Sequence, residues 1–337
     1  MKLCVIEGDG IGHEVVPAAV AVLQTVLPQV EIVRASAGYD YHQRTGRPID
    51  PETFDLVREC GALLYGAANS PSFPVPGYSS PIVRLRRELK TYAALRPTVT
   101  MPVITSRPGV DLLVVREATE DVYSGEERQY FDSDSETMIA QKIVTRAASE
   151  RIAHMAFSLA RRNQRRRVTI VHKGNVLPMT DGLFRRAALE IAAYYPEIEV
   201  DELLVDTAAY WMVKDPSRFD IILTMNQYGD ILSDMAAAWG GGLGLSPALN
   251  LGDEVGIAEP VHGSAPDIAG RNIANPTATI LSLAMLIRYH WGLVEAAERI
   301  EGAIYRTLSD GLYTADIRPQ GALSTTRFTE AVLERLI

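Results

Sequence analysis

Two aspartates, Asp230 and Asp234, stand four residues apart in the segment YGDILSD and are the first candidates for chemistry. On a helix this spacing places both carboxylates on one face, with Cβ atoms about 5–6 Å apart. Carboxylates this close repel each other unless a cation or a proton lies between them, and their oxygens suit a hard divalent ion. The alternative is a helix N-terminus whose acidic residues only complement the helix dipole.

A lysine, Lys173, directly follows the apolar run RVTIV in the segment HKGN. A lysine at the end of a buried strand is costly unless it has a partner or a task, and its pKa can shift far enough for proton transfer. The pattern indicates an acid–base group. The alternative is a lysine whose ammonium group extends into solvent.

Basic residues gather in the segment GYSSPIVRLRREL and just beyond it, in a chain with a formal net charge of −9. The arginines are Arg84, Arg86, Arg87 and Arg96. Ser80 before Pro81 predicts a helix start, with the serine as the cap. Guanidinium groups bind carboxylates through paired hydrogen bonds, so the cluster suggests a site for a small anion.

Two glycine-containing segments suggest ligand contact. GDGIGHE, residues 8–14, follows an apolar strand pattern but lacks the G-x-G-x-x-G spacing of the dinucleotide fingerprint, so its glycines serve either a ligand or a tight turn. EPVHGSAPDIAGRNIANP, residues 259–276, is too long for a simple connector and is typical of a binding loop. In this loop His262 is suited to stacking on a planar ring and Asp267 to holding a ribose diol.

The elements that must position these residues follow an α/β rhythm, which predicts a largely parallel sheet. Predicted strands cover 3–6, 30–35, 62–67, 111–117, 167–173, 201–206 and 219–226. Predicted helices cover 14–27, 51–60, 82–91, 147–162 and 182–194, and the chain beyond 273 is mainly helical. Residues 124–142 break the rhythm and suggest a projecting hairpin that serves as a dimer arm, the alternative being an exposed loop.

Composition limits the classes of partner. A chain of 337 residues predicts two domains or one large one. The acidic balance argues against a nucleic-acid or anionic-membrane partner. Cys4 and Cys60 both lie in apolar stretches, so no disulfide framework is expected and a cytoplasmic location is predicted. No segment approaches the roughly 18–20 apolar residues that span a bilayer.

An ordered set of segments then resembles one enzyme family, the β-decarboxylating dehydrogenases that act on isocitrate, isopropylmalate, homoisocitrate and tartrate. The set runs from IEGDGIGHE through LRRELKTYAALRP, VVREATEDVYSG, VHKGNVL, NQYGDILSD and GGLGLSPALNLGD to EPVHGSAPDIAGRNIANPTATILS and covers essentially the whole chain. The resemblance implies a two-domain, non-Rossmann α/β fold of the isocitrate/isopropylmalate dehydrogenase kind. The large domain would comprise 1–98 and 250–337, and the small domain 99–249 would carry the arm of a homodimer or of a tetramer.

The resemblance also implies roles for the chemical candidates. Lys173, Tyr123 and Asp206 would be catalytic. Mg²⁺ or Mn²⁺ would be held by Asp206, Asp230 and Asp234. The polycarboxylate substrate would contact Ser80, Val83, Arg86, Arg96, Arg116, Tyr123, Lys173 and Asn175. Sites of this family form across the dimer, so Lys173, Asn175 and Asp206 would come from one subunit and the other charged groups from its partner.

For the cofactor, the resemblance implies NAD, because an acidic residue in the HGSAPDI loop repels a 2′-phosphate and accepts hydrogen bonds from the ribose diol. Here that residue is Asp267, followed by Ile268. The implied cofactor-binding residues are Ile11, Asn226, Glu259, His262, Gly263, Ser264, Ala265, Asp267, Ile268 and Asn275.

The expected substrate depends mainly on the residues of the predicted helix around Arg86. YSSPIV before LRRE, EERQY after Tyr123 and the segment Val205–Tyr210 look most like homoisocitrate dehydrogenases of lysine biosynthesis through α-aminoadipate. Some of these enzymes have an arginine at the position of Val83, and an apolar residue there also suits an isopropyl group. Isopropylmalate and isocitrate therefore stay as alternatives. A non-catalytic regulatory subunit is the other alternative, although this chain keeps the metal aspartates, the lysine and the tyrosine.

Overall fold

The computed structural model describes residues 1–69, 71, 73, 75–132 and 135–336. The chain divides into two compact units, the first comprising Met1–Thr91, Pro97–Gly109 and Ala237–Ile337 and the second comprising Tyr92–Arg96 and Val110–Ala236. The domain boundaries expected from sequence, after residues 98 and 249, stay a prediction. Ser133 and Asp134, at the centre of the predicted arm, lie outside the described residues.

The first unit is an α/β arrangement in which five strands have the order β2-β1-β3-β12-β11. Its strands are β1 (Lys2–Gly8), β2 (Glu31–Arg34), β3 (Ala62–Ala67), β11 (Leu249–Leu251) and β12 (Gly256–Ala258). Its helices are α1 (Gly12–Val26), α2 (Tyr39–Thr45), α3 (Pro51–Cys60), α4 (Pro81–Glu88), α9 (Thr277–Met285), α10 (Val294–Ser309) and α11 (Thr325–Glu334). Strands β1, β2, β3 and β12 pair in parallel, and β11 pairs antiparallel to β12.

Burial explains the central strands of this unit. All six residues of β3 are buried, as expected for a parallel strand covered on both faces. Its Leu63 pairs with Cys4 of β1.

Both cysteines are free thiols, and burial raises the pKa of the Cys4 thiol to about 12. Cys4 is thus an inert core residue, as its apolar context indicated.

The second unit repeats the α/β pattern, with the strand order β4-β5-β10-β8-β9. The strands are β4 (Ala93–Val99, which continues into the first unit), β5 (Asp111–Glu117), β8 (Arg167–His172), β9 (Glu199–Leu204) and β10 (Ile221–Thr224). The helices are α5 (Arg146–Arg162), α6 (Thr180–Ala192), α7 (Val205–Lys214) and α8 (Asn226–Gly240), which also continues into the first unit. Strands β5, β10, β8 and β9 are parallel neighbours.

A separate two-stranded hairpin occupies the segment that breaks the rhythm. Strands β6 (Glu127–Asp132) and β7 (Ser135–Ala140) pair antiparallel, so the predicted hairpin is confirmed. Its apolar side chains are exposed, with 78% of Phe131 and 62% of Met138 accessible. Exposed apolar side chains such as these suit burial against another chain, and the role of the hairpin as a dimer arm stays a prediction.

Most element ends differ from the expectation by a few residues, and two of these differences concern segments that carry predicted site residues. The helix predicted to reach Thr91 ends at Glu88, and Lys90 has φ 53°, a left-handed conformation that stops the helix. The strand predicted over 201–206 ends at Leu204, and Val205 begins α7. Asp206 therefore lies in the first turn of a helix rather than at the end of a strand. No helix among the described residues is long and apolar enough to cross a membrane.

Candidate functional site

The predicted acidic pair lies on α8 in the second unit and faces two arginines. Arg116, the last but one residue of β5, has a side chain only 2% exposed and pairs with Asp230 Oδ1. The Nη1 atom of Arg96, on β4, lies 3.3 Å from Asp230 Oδ1 and 3.5 Å from Asp234 Oδ1. The structure thus brings together four of the predicted site residues at the point where two strands meet one helix.

A glycine allows the helix and the strand to approach this closely. A Cβ atom at Gly229 would lie 2.6 Å from Cγ of Arg116, which is closer than real contacts allow. Any larger residue at this position would therefore displace α8 or Arg116. Gly229 is the residue that permits Asp230 to meet the guanidinium group.

Arg116 is held by the first residue of α8. The Oδ1 atom of Asn226 accepts from Arg116 Nε at 2.8 Å and from Nη2 at 2.5 Å, while its Nδ2 donates to the carbonyl of Glu120 at 3.0 Å. Asn226 was expected to bind the cofactor. In the structure it is buried, and both ends of its amide are engaged inside the second unit, so it orients Arg116.

Tyr123 joins the same cluster from a 3₁₀ turn, Val122–Ser124. Its hydroxyl donates to Asp230 Oδ2 at 2.7 Å, and the Arg116 guanidinium lies 5.2 Å from the centre of its ring. Burial and the bond to the carboxylate raise the pKa of Tyr123. Burial alone would raise the pKa of Asp230 too, but Arg116, Tyr123 and Arg96 together lower it. The pair therefore consists of a protonated phenol and an ionised carboxylate at neutral pH.

The second acid of the pair is in a different electrostatic state. Burial, followed by repulsion from Asp230, raises the pKa of Asp234, and the charge of Arg96 counteracts only part of this effect. The Asp234 side chain is 62% exposed, so it is the member of the pair with free access from solvent.

Lys173 begins the loop after β8, as predicted, and pairs with another predicted site residue. Its Nζ atom lies 2.5 Å from Asp206 Oδ1 at the start of α7. The hydrogen bond from Lys173 lowers the pKa of Asp206, which keeps that carboxylate ionised. Asn175, two residues on, is exposed. The parallel strands β8 and β9 bring these segments together, because their carboxyl ends lie at the same edge of the sheet.

The three predicted metal ligands have the right chemistry but do not converge in one chain. Asp206, Asp230 and Asp234 offer the carboxylate oxygens that Mg²⁺ and Mn²⁺ prefer. Among the described residues, however, no three His, Cys, Asp or Glu side chains form a metal-binding group. Asp206 is instead paired with Lys173, and Asp230 with Arg116. The chemistry of the donor set fits a divalent metal, and the contribution of a second chain to the site stays a prediction.

In the first unit, Arg86 is paired with an acid from the predicted cofactor set. Its Nη2 lies 2.5 Å from Glu259 Oε2, which also accepts from Asn250 Nδ2 at 3.0 Å. Among the described residues Arg86 Nε is buried without a hydrogen-bond partner, so the guanidinium group keeps a donor for a ligand. Glu259 orients Arg86 in this structure.

The residues next to Arg86 on α4 lie as expected, with one correction. Ser80 is at the N-cap and Pro81 is the first helical residue, but the Ser80 side chain makes no capping hydrogen bond. Its hydroxyl is thus not used by the helix. Val83 is 41% exposed, one turn before Arg86. Arg84 lies over the Phe54 ring, with its guanidinium group 5.6 Å from the ring centre. The arginines that are neighbours in the sequence therefore contact different groups in the structure.

The predicted binding loop, 259–276, is irregular and rests on the glycine turn after β1. Gly10 has φ 56°, and a Cβ atom there would lie 2.1 Å from the carbonyl oxygen of Ser264. Ile11 N donates to the same oxygen at 2.9 Å, and the buried Ile11 side chain packs under Ala265 and Ile268. Of the two roles left open for the GDGIGHE glycines, the structure supports a turn that carries the loop.

Residues of the loop differ in how much they offer a ligand. Asp267 and Gly263 are exposed, and Ala265 has φ 39°, a conformation rare for a residue with a side chain. Burial lowers the pKa of His262, and its Nε2 has no hydrogen-bond partner among the described residues. A neutral imidazole with a free nitrogen suits stacking and hydrogen bonding. Asn275, by contrast, is engaged by Asp316 and Thr277.

Sequence reasoning missed several supporting residues. Ser233 accepts from Arg96 Nη1 at 2.8 Å and lies on the same helix as the acidic pair, so its spacing could have suggested it. Asp181 accepts from the backbone amide of Lys173 at 2.7 Å, and Asp121 precedes the Tyr123 turn with φ 74°. Nothing in their local sequence pairs these acids with the site.

The fold and site together define a class: a two-unit α/β protein that combines paired arginines, an acidic pair, a phenol and a lysine–aspartate pair, as expected of an enzyme acting on a small anionic substrate. The model of the isocitrate/isopropylmalate dehydrogenase family matches residues 2–332, and the chain belongs to that family.

Individual relatives agree with this assignment. The chain is 48% identical over 335 residues to the isocitrate/homoisocitrate dehydrogenase of Thermus thermophilus, covering 99% of this chain and 98% of the relative. It is 44% identical over 340 residues to the 3-isopropylmalate/3-methylmalate dehydrogenase of Methanocaldococcus jannaschii, with 99% and 98% covered.

A solved structure extends the agreement to the fold. The crystal structure of isocitrate dehydrogenase from Methylococcus capsulatus superposes with a TM-score of 0.95 at 41% identity and covers 99% of both chains. The expected family and fold class are confirmed. The protein is a β-decarboxylating dehydrogenase of this family, whose members use a nicotinamide dinucleotide and a divalent metal ion.

Proposed function

We propose that the protein oxidises homoisocitrate with NAD and releases 2-oxoadipate and CO₂, on the α-aminoadipate route to lysine. The observation that carries this proposal is the cluster of Arg96, Arg116, Tyr123 and Asp230, in which two nearly buried guanidinium groups and a protonated phenol meet. Guanidinium groups grip carboxylates, and a phenol held next to them supplies a proton.

The arginines would bind the substrate carboxylates. Arg96 and Arg116 are already oriented by Ser233 and Asn226, so little freedom is lost when a substrate binds. Arg86, whose Nε has no hydrogen-bond partner in the part of the chain that the structure describes, would bind another carboxylate. A lysine in these positions would provide only a point charge.

A divalent ion, Mg²⁺ or Mn²⁺, would be held by Asp230 and Asp234 of one subunit and Asp206 of its partner. When bound it supplies Lewis acidity at the C2 oxygen. The exposed carboxylates of Asp234 and Asp206 are the groups that such an ion would reach from solvent. A homodimer, alone or paired as a tetramer, belongs to this proposal.

NAD, when bound, would supply the hydride acceptor. Lys173, as the neutral amine, would accept the proton that leaves the hydroxyl on C2, the hydroxyl-bearing carbon of the substrate. Asp206, which accepts from Lys173 Nζ, would orient this amine. Oxidation makes C2 a carbonyl group, so the carboxylate on C3 becomes that of a β-keto acid. This carboxylate leaves as CO₂, and the electron pair of the broken C–C bond moves to the oxygen of the C2 carbonyl. Tyr123 would then give a proton to C3 of the resulting enolate, which completes the 2-oxo acid.

The substrate assignment depends on Ser80 and Val83. The Ser80 hydroxyl, which makes no capping hydrogen bond, suits a polar chain, and the isocitrate/homoisocitrate dehydrogenase of T. thermophilus supports a tricarboxylate. The apolar and partly exposed Val83 supports 3-isopropylmalate as the second candidate, as does the M. jannaschii relative. A non-catalytic regulatory subunit is disfavoured, since every charged group of the proposed mechanism is present.

NAD is proposed over NADP because Asp267 is exposed on the loop, where a carboxylate repels a 2′-phosphate. The imidazole of His262 would contact the cofactor from the same loop. Other contacts would come from the exposed Gly263 and from the backbone beside Ala265. The loop would be held in place by the packing of Ile11 against Ile268 and by the hydrogen bond from Ile11 to the Ser264 carbonyl.

The test is turnover of homoisocitrate, isocitrate and 3-isopropylmalate in parallel, each with NAD and with NADP in the presence of Mg²⁺. We expect the highest kcat/KM with homoisocitrate and NAD. Preference for isopropylmalate would contradict the substrate proposal, and absence of turnover with all three would contradict the enzyme proposal.

The lysine role has a separate test. Replacement of Lys173 by Met should lower kcat by about 10²–10⁴ because the hydroxyl proton loses its acceptor. Lys2→Met is the control, since Lys2 is an exposed, ion-paired lysine in the first unit. Full activity of the Lys173→Met variant would refute the proton-transfer role.

A further inference from the structure

A buried ion cluster in the second unit is not used by the proposed chemistry. The Nζ atom of Lys142 lies 2.9 Å from Asp181 Oδ1 and 3.7 Å from Asp121 Oδ1. The side chains of Asp181 and Asp121 are 0% and 2% exposed, and that of Lys142 is 13% exposed. The ammonium also lies 4.3 Å from the centre of the Tyr228 ring.

One acid of the cluster holds the backbone of the proposed base. Asp181 Oδ2 accepts from the amide of Lys173 at 2.7 Å, while its other oxygen faces Lys142. The direction in which Lys173 leaves β8 is therefore fixed by a carboxylate whose charge is compensated by Lys142.

The other acid holds the turn that carries the proposed proton donor. Asp121 Oδ1 accepts from Val122 N and Oδ2 from Gln227 N, each at 2.9 Å. The first bond shapes the turn that contains Tyr123, and the second connects this turn to the helix of Asp230. The backbone of Asp121 also pairs with Ile143, the neighbour of Lys142.

Stability alone does not account for this arrangement. A buried ion pair contributes little net stability compared with apolar residues of similar size, whereas removal of one partner leaves an uncompensated charge. Here the two acids bond to backbone amides at Lys173, at the Tyr123 turn and at the start of α8. The distinctive consequence of the cluster is therefore the placement of these segments.

We propose that Lys142 and Asp181 are positioning residues that fix Lys173 and Tyr123 through their backbones. Lys142 follows β7 by two residues, so the cluster also anchors the base of the hairpin to the site. The inference rests on the proposed function only for the catalytic roles of Lys173 and Tyr123; the positioning itself is a property of the fold.

The experiment compares Lys142→Met, Lys142→Arg and Asp181→Ala with wild type, and uses Lys2→Met as the matched control. Amide hydrogen exchange is followed in peptides covering 121–125, 172–176 and α5, which belongs to the same unit. We expect faster exchange in 121–125 and 172–176 for Lys142→Met, and in 172–176 for Asp181→Ala, with α5 unchanged. Lys142→Arg should restore most of the protection, because it restores the charge.

Kinetics provide the second readout. Misplacement of a reacting group by about 1 Å can cost roughly 10²-fold in rate, so Lys142→Met should lower kcat by about 10- to 100-fold and change KM by less than about threefold. Lys142→Arg should recover most of kcat, and Lys2→Met should match wild type.

The two proposals fail in different ways. Unchanged amide exchange in both site peptides would overturn the positioning role. An equal increase of exchange in α5 would also overturn it, because this increase indicates general destabilisation. Wild-type protein that turns over none of the three substrates would overturn the proposed function, and the exchange measurement would still decide the positioning.

Discussion

At the scale of single residues, Asp230 sets the state of the groups around it. It accepts from the Tyr123 hydroxyl at 2.7 Å and pairs with Arg116. The pKa of Tyr123 is raised, first by burial and then by this carboxylate, whereas the pKa of Asp230 is lowered by its cationic neighbours. A phenol that keeps its proton at neutral pH is suited to be a general acid.

Replacement of Tyr123 by Phe removes that proton and should lower kcat by about 10²–10⁴ with little change in KM. Tyr305→Phe, at an exposed position on α10 in the first unit, is the matched control and should keep wild-type kcat. Because the Tyr123 pKa lies above the ordinary value of about 10, its ionisation should cause no loss of wild-type activity below that pH. The measurement is kcat across pH for the three proteins, and an unchanged kcat in Tyr123→Phe would refute the role.

Sequence alone could suggest the charged residues of the cluster, because their types and spacing are chemically distinctive. It could not suggest the pairing of Lys142 with Asp181, since strand β8 and helix α5 separate them and neither has a periodic neighbour that marks it. Nor could it show that Asn226 orients Arg116, because this hydrogen bond depends on how α8 meets β5.

At the scale of elements, the turn after β1 supports the loop 259–276 through direct contacts. Gly10 touches the Ser264 carbonyl so closely that no side chain fits, and Ile11 donates a hydrogen bond to it. The glycine pattern indicated a tight turn or a ligand contact. It could not reveal which distant loop the turn supports, because Gly10 and Ser264 are far apart in the sequence.

Gly10→Ala should therefore damage the loop more than a comparable substitution elsewhere. Both Gly10 and Gly46 have positive φ, 56° and 77°, so alanine costs about 1–2 kcal/mol of strain at either position. Gly46 has open space around its Cβ position, whereas at Gly10 overpacking adds about 1–3 kcal/mol. In denaturant unfolding, Gly10→Ala should have a lower free energy of unfolding than Gly46→Ala. Only Gly10→Ala should raise KM for NAD. Equal effects would refute the support role.

Element boundaries show where local patterns lose information. Helix α3 agrees with its prediction at both ends, because Pro51 starts it and Gly61 ends it with φ 69°. Helix α4 ends at Glu88 instead of the predicted Thr91, because Lys90, a residue with no special preference for a left-handed conformation, has φ 53°. The β9 strand ends at Leu204 although its apolar pattern continues, since Val205 already belongs to α7.

At the scale of the whole molecule, two features support the proposal that one chain holds only part of the site. The predicted metal ligand Asp206 is paired with Lys173 rather than grouped with Asp230. The hairpin exposes Phe131 and Met138, as a surface that joins another chain would. The sequence could reach this conclusion only by resemblance, because no local pattern states which subunit supplies a residue.

A shared site predicts complementation between inactive variants. Lys173→Met and Asp230→Asn should each be inactive alone. In a mixed dimer one of the two sites would combine both intact residues, so an equimolar, randomly reassociated mixture should recover about one quarter of wild-type activity. Lys173→Met mixed with Asp206→Asn is the matched control: those residues come from the same subunit, so every site keeps one defect and no activity should return. Activity measured after joint unfolding and refolding of each mixture decides the matter, and the absence of recovery in the first mixture would place all catalytic groups within a single chain.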